Sequence, residues 1–235
     1  MQKSFLFVVA VFISLTLSGC GSTSGGGASP LIGTSSLSTE DLAGIEAALL
    51  ADRVDQAIAL ETSPELAASI QADVTSTGSF QRRGRSYSWE KSSTGRHIRR
   101  GAGTFPIDVA ITSEGGQLNI GGETCTVSRL EDGTLKLVRG NGSEILIGSI
   151  PEAGGSAVLD VAGVPWNAVF GTGDEALVTL TNTRSGRVLI INESDTGELT
   201  VVADGDSTFR GRWNQDGEVE CTGDSGRQYR YRGGR

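Results

Sequence analysis

Few side chains in this sequence are able to do chemistry, and their spacing limits what they can do. Ser225 sits in Cys221-Thr222-Gly223-Asp224-Ser225-Gly226. A serine held in such a turn becomes a nucleophile only when a base and an acid that orients it stand beside it. The chain holds one histidine, His97, set in Arg96-His97-Ile98-Arg99. One imidazole excludes a multi-histidine metal site and leaves a single candidate base. Asn192 to Glu198 and Asp204 to Asp206 are oxygen-rich stretches of the kind that hold Ca²⁺, but neither has the ligand spacing of a calcium loop. Gly171-Thr172-Gly173-Asp174 lacks the strand, glycine turn and helix of a dinucleotide site and reads as a turn. We therefore expect no catalytic centre, no metal ion and no cofactor, and a protein that is not an enzyme.

Charge is distributed in blocks within a total of -8. Between residues 78 and 100, Arg82, Arg83, Arg85, Lys91, Arg96, Arg99 and Arg100 face Glu90 alone, interleaved with Phe80, Tyr87 and Trp89. Residues 101 to 223 hold 7 Lys/Arg against 18 Asp/Glu. The basic collar admits two readings. In one, Arg82, Arg83, Arg85, Arg96, Arg99 and Arg100 contact a polyanion, as cations interleaved with aromatics do. In the other, alternating strand positions put the arginines on the wet face and Tyr87 and Trp89 in the core, and the acidic body answers the collar internally. The last nine residues, with Arg227, Arg230, Arg232 and Arg235, are basic again.

Two local patterns resemble known families. Cys221 to Gly226 resembles the nucleophile loop of chymotrypsin-like serine proteases, Cys-x-Gly-Asp-Ser-Gly-Gly, with Arg227 in place of the last glycine. That resemblance implies a Ser225 nucleophile with a histidine base. His97 lacks the family's small-residue His-Cys setting, and ten residues follow Ser225 where that fold builds further strands. We read Asp224-Ser225-Gly226 as a hairpin turn, and a hydrolase stands as an alternative. At the other end, Lys3 and the thirteen-residue, mostly apolar run Phe5 to Leu17 lead into Leu17-Ser18-Gly19-Cys20. This resembles the signal peptide and lipobox of bacterial lipoproteins. The run is shorter than the roughly 20 residues that span a bilayer. The resemblance implies cleavage before Cys20, a thioether-linked diacylglycerol on its sulfur and a membrane partner through that lipid. Gly21 rather than Asp follows, which in that family implies sorting to the periplasmic face of the outer membrane. An envelope setting leaves an envelope protein or an anionic envelope polymer as the expected partner and argues against nucleic acid.

The elements that position these residues follow from periodicity. We expect a signal peptide over 1–19, a lipidated cysteine and Gly/Ser tether over 20–37, a helical segment over 38–75 and a β-rich domain over 76–235. The tether spans roughly 22 Å as a flexible coil. Ser38-Thr39-Glu40-Asp41 supplies an N-cap and acidic first turn for a helix over about 39–60, and Ser63-Pro64-Glu65 a second start for a short helix to about Asp73. Both helices are expected to pack on the rest of the domain. Beyond Gly78 the apolar period becomes two, as in Leu135 and Leu137 or Leu159 and Val161. Turn pairs Asp132-Gly133, Asn141-Gly142, Ser185-Gly186, Thr196-Gly197, Asp216-Gly217 and Ser225-Gly226 separate the alternating stretches. With 34 glycines, the fold class is mainly β, an antiparallel meander closing as a barrel or a two-sheet sandwich. Cys125 and Cys221 lie in strand-like stretches, and an oxidising envelope favours a disulfide between them, the competing reading being two buried free thiols. The function expected is a lipid-anchored, non-enzymatic binding or structural domain. A lipocalin-like carrier of a small apolar ligand is the alternative, and it requires a cavity inside the sheet.

Overall fold

The computed structural model describes residues 36–61, 76–92, 95–100, 107–112 and 115–233. The leader, Cys20, the tether to Thr34 and the second helix expected near 63–73 lie outside the described residues. One helix, α1 (Thr39–Glu61), is followed by sixteen strands among the described residues. The first eight are β1 (Ser76–Arg82), β2 (Arg85–Ser92), β3 (Gly95–Arg100), β4 (Ile107–Thr112), β5 (Gly115–Ile120), β6 (Glu123–Arg129), β7 (Leu135–Val138) and β8 (Glu144–Ile147). The rest are β9 (Gly155–Val161), β10 (Val164–Phe170), β11 (Val178–Asn182), β12 (Val188–Glu193), β13 (Glu198–Ala203), β14 (Ser207–Trp213), β15 (Val219–Gly223) and β16 (Gln228–Tyr231).

Every strand pairs antiparallel with the next, so the order across the sheet is the order in the chain. The turns dictate this. In five connections the glycine N–H returns to the carbonyl three residues back, and the residue at the head of the turn donates to the carbonyl four residues on. Asn214 to Glu218 is one example, with N–H to O distances of 3.0 and 2.9 Å. The same pair recurs at Leu130 to Thr134, Arg139 to Ser143, Ser194 to Glu198 and Gly223 to Arg227. This is a three-residue hairpin loop in which the glycine takes the left-handed position, as Gly217 does at φ 77°. Each expected turn pair therefore reverses the chain onto its immediate neighbour.

Among the described residues the sheet is one antiparallel meander, in which no pairing of β1 with β16 closes a barrel. β1 and β16 are its two ends in the pairing order. Turns from its two halves meet instead. The Gly173 N–H donates to the Arg83 carbonyl at 2.8 Å, and Gly121 lies so close to Asp216 that a Cβ there would stand 2.2 Å from the Asp216 backbone. The sheet wraps α1, which touches β1, β3 and β4 at one end of the order, β9, β11 and β12 in the middle and β15 and β16 at the other end.

The helix starts as its sequence directs. Ser38 Oγ accepts the Asp41 N–H at 3.0 Å, and Asp41 Oδ2 accepts the Ser38 N–H at 2.8 Å, a reciprocal cap. Its bounds, Thr39–Glu61, match the helix expected over about 39–60, and its placement differs: α1 lies inside the fold rather than before it. Ile45, Ala47, Ala48, Leu49, Leu50, Ala51 and Val54 are all fully buried. The strands answer with their alternating inner rows, such as Trp166, Ala168 and Phe170 on β10 and Leu199, Val201 and Ala203 on β13. Each large aliphatic side chain buried this way contributes about 1.5–3 kcal/mol. The interior that a carrier would keep for its ligand is filled by α1.

Gly44 marks the closest approach: a Cβ there would stand 2.9 Å from the indole of Trp166, which is fully buried. Alanine gains about 1 kcal/mol over glycine in a helix interior, whereas overpacking a filled core costs about 1–3 kcal/mol. Gly44→Ala is expected to lower the unfolding free energy, by up to about 2 kcal/mol, in a urea titration. A stabilised variant would show that the indole has room to move.

Candidate functional site

The inner end of α1 carries charge where a buried helix is expected to be apolar. Asp52, Arg53 and Gln56 are buried to within 2 % of full exclusion from solvent, and Asp55 nearly so. Their partners come from the sheet. Arg53 Nη2 donates to both carboxylate oxygens of Glu193, at the end of β12, at 2.5 and 2.7 Å. Its Nη1 donates to Asp52 Oδ2 at 3.1 Å. Arg83, in the β1–β2 turn, pairs with both Asp52 and Asp55 and lies against the Phe170 ring, 5.3 Å from its centroid. Arg82 donates through Nε and Nη2 to Asp55 at 3.0 and 2.9 Å and reaches Glu152 at 3.1 Å. Three arginines meet three buried or half-buried acids in a neutral network. Burial pushes the Asp52 carboxyl above its ordinary value, against the pull of Arg53 and Arg83.

A second contact lies one and a half turns earlier. Arg139, after β7, donates to Glu46 Oε2 at 2.5 Å and to the Gly233 carbonyl at 2.7 Å, while the Gly233 N–H donates to Glu46 Oε1 at 3.2 Å. The C-terminal segment is thus held against the middle of the helix.

These contacts bear on both readings of the collar at Arg82, Arg83 and Arg85. Arg83 and Arg85 are buried, so neither meets a polyanion, and the acids that answer Arg82 and Arg83 come mainly from the helix rather than the acidic body. Arg85 donates to the carbonyls of Gly171, Glu175 and Ala176 at 2.6, 2.8 and 3.2 Å, pinning the β10–β11 loop. Arg85 shares the parity of Tyr87 and Trp89, and all three point inward. The wet-face placement expected for the arginines is corrected there by the period of two itself. Arg96, Arg99, Arg100 and His97 lie on β3, with their side chains outside the described ones.

The expected disulfide is also corrected: Cys125 and Cys221 are free and buried. They stand on β6 and β15 with β7 to β14 between them in the pairing order. Burial pushes each thiol up to about 11, which leaves them poor nucleophiles at neutral pH. Ser225 lies in the β15–β16 hairpin turn, where the Gly226 N–H donates to the Gly223 carbonyl at 2.8 Å. Glu193, in the first oxygen-rich stretch, turns inward to Arg53, and Ser194 Oγ accepts the Glu198 N–H at 3.1 Å. In the second, Asp204 Oδ1 accepts the Val188 N–H at 3.1 Å, and its carboxylate pairs with Arg187 at 3.3 Å. Gly171 to Asp174 is the loop after β10, as expected.

A concavity with a volume of about 920 Å³ lies over the last strands. Arg53 and Glu193 stand at its inner end, and Gly211 on β14 contributes bare backbone to its floor. The register sets two outward rows across it. One runs Glu198, Arg212, Glu220, Arg230 and the other Thr200, Arg210, Thr222, Gln228. Arg212 and Arg230 both approach Glu220, at 3.5 Å each, with side chains 71 % and 67 % exposed. Sequence reading missed this groove because its cations come from α1, β14 and β16, which are separate in the chain. Cross-strand pairing of the C-terminal stretches was the signal that could have found it.

No protein-family model, curated protein or solved structure matches the chain.

Two outcomes follow from the buried pairs. Arg83→Met strips Asp52 and Asp55 of a shared cation and is expected to cost about 3–5 kcal/mol. Arg212→Met, at an exposed pair, should cost under about 1 kcal/mol. Parallel urea titrations compare them, and equal losses would mean that the inner network is wet. Burial also raises the Glu46 carboxyl above its ordinary value, Arg139 opposing. A raised acid contributes stability that is complete below its unfolded value and lost as pH climbs through the folded one. The melting temperature of the wild-type chain minus that of Glu46→Gln should therefore increase as pH falls from about 8 toward 4.5, and a decrease would refute the raised value.

Proposed function

We propose that this chain is a bacterial envelope lipoprotein, held by lipid on Cys20, whose helix-cored β domain is a non-enzymatic binding module. The observation that carries the anchor is Leu17-Ser18-Gly19-Cys20 directly after an apolar run headed by Lys3. Each buried methylene contributes about 0.8 kcal/mol and a single chain binds only marginally, so the two chains of a diacylglycerol give lasting attachment. The Gly/Ser run from Gly21 lets the domain stand off the headgroups. Gly21 at the second mature position favours the periplasmic face of the outer membrane.

Binding rather than turnover fits the groove over β13 to β16. Its lining of arginine, glutamate, threonine and glutamine side chains offers hydrogen-bond donors and acceptors in fixed rows, the arrangement that orients a polar ligand. A partner in the envelope, protein or polymer, is in reach of a domain on such a tether.

Wild-type chain expressed with labelled palmitate is expected to carry the label and to partition with membranes. Cys20→Ser should lose the label and accumulate as unprocessed precursor. Undiminished labelling of that variant would remove the lipoprotein assignment.

A further inference from the structure

The groove's lining carries four arginines, Arg53, Arg210, Arg212 and Arg230, against three glutamates, Glu193, Glu198 and Glu220. Three of the arginines are already answered, Arg53 by Glu193 and both Arg212 and Arg230 by Glu220. Arg210 is exposed and has no acidic partner among the described residues. Thr200 and Thr222 stand opposite it on the two neighbouring strands, and Gln228 stands beyond Thr222. A guanidinium flanked by hydroxyl and amide donors suits one oxyanion, which it holds through two parallel N–H···O bonds. The next row supplies acceptors as well as donors, through Glu198 and Glu220 between the arginines.

We infer that this groove binds an acidic saccharide, its carboxylate on Arg210 with Thr222 and Gln228, and its hydroxyls against the Glu198–Arg212–Glu220–Arg230 row. A net lining charge of one suits a ligand with one negative group per site rather than a dense polyanion, which the glutamates would repel. A lipid headgroup surface would leave the carboxylates facing phosphates. Hydroxyl groups donate to the glutamates and accept from the arginines, so a sugar satisfies both. The volume of about 920 Å³ falls in the range of small-molecule sites. The 3.5 Å contacts of half-buried Glu220 are long and their arginines exposed, so a ligand displaces them at little cost. This ligand class rests on the reading of the domain as a binding module.

The test is calorimetric titration of the full acylated chain in nonionic detergent with trigalacturonate and with its fully methyl-esterified form. Trigalacturonate is expected to bind, and the neutral ester at least tenfold more weakly. Arg210→Gln should weaken trigalacturonate at least tenfold and Arg210→Lys less, while Arg184→Gln, on the β11–β12 turn, should leave it unchanged. Arg210 is exposed, so these variants should fold, which circular dichroism checks. Failure of the folded chain to bind trigalacturonate, or equal affinity for acid and ester, overturns the saccharide. Arg210-dependent binding of inorganic phosphate as tight as that of trigalacturonate, or of phosphatidylglycerol vesicles alone, overturns the saccharide while leaving the groove a binding site. Palmitate labelling of Cys20→Ser decides the anchor separately.

Discussion

A carboxylate taken out of water must be given a cation or surrender its charge, and α1 carries Glu46, Asp52 and Asp55 into the interior together with Arg53. The partners cannot come from the helix alone. Arg83 reaches Asp52 from 31 residues away, Arg139 reaches Glu46 from 93, and Glu193 reaches Arg53 from 140. Each pair ties a different part of the sheet to one point on the helix. Leaving any one unmade would strand a charge at a cost of several kcal/mol. The sheet must therefore close on the helix in one rotation and one axial position. Such networks contribute less to net stability than apolar packing in their place would. What these pairs supply is a set of fixed contacts between α1 and the β1–β2 turn, the segment after β7 and the end of β12.

That requirement explains why the sheet neither seals nor opens out. Sixteen strands in a closed barrel enclose a lumen that side chains alone do not fill. Here the helix occupies the interior, and the sheet folds around it with turn-to-turn contacts, Gly173 on Arg83 and Gly121 on Asp216, in place of edge pairing. The tight hairpins make this inexpensive in topology, because each strand needs only its predecessor to be in place. Long-range order then comes from the helix, whose contacts span the sheet from β1 to β16.

The same economy of charge decides what the surface can offer. Arg83 and Arg85 are consumed internally, one by acids and one by carbonyl oxygens, and Arg82 is largely so. The outward cations of β14 to β16 are set in register with glutamates and hydroxyls, which gives a mixed polar groove rather than a positive field. That groove gives a mixed polar surface on a chain whose net charge is -8.

The sequence by itself determined the local structure. Ser38 and Asp41 start the helix, and the alternation of Leu199, Val201 and Ala203 makes a strand. Asp216-Gly217 and its counterparts turn the chain, because φ preference, capping and side-chain period act within a few residues. The inward aim of Arg85 was legible too, since it shares parity with Tyr87 and Trp89. Only the tertiary structure decided that α1 lies inside the sheet, that Glu193 belongs to Arg53, that Cys125 and Cys221 stay apart, and that Arg210 shares a cross-strand row with Thr222 and Gln228. Leu49, Arg53 and Gln56 fall on one side of α1, apolar beside charged, and no local rule says which surface accepts both. The physical reason is that burial is a property of the whole fold: a charged side chain reads as solvent-facing until a partner many residues away arrives to take it out of water.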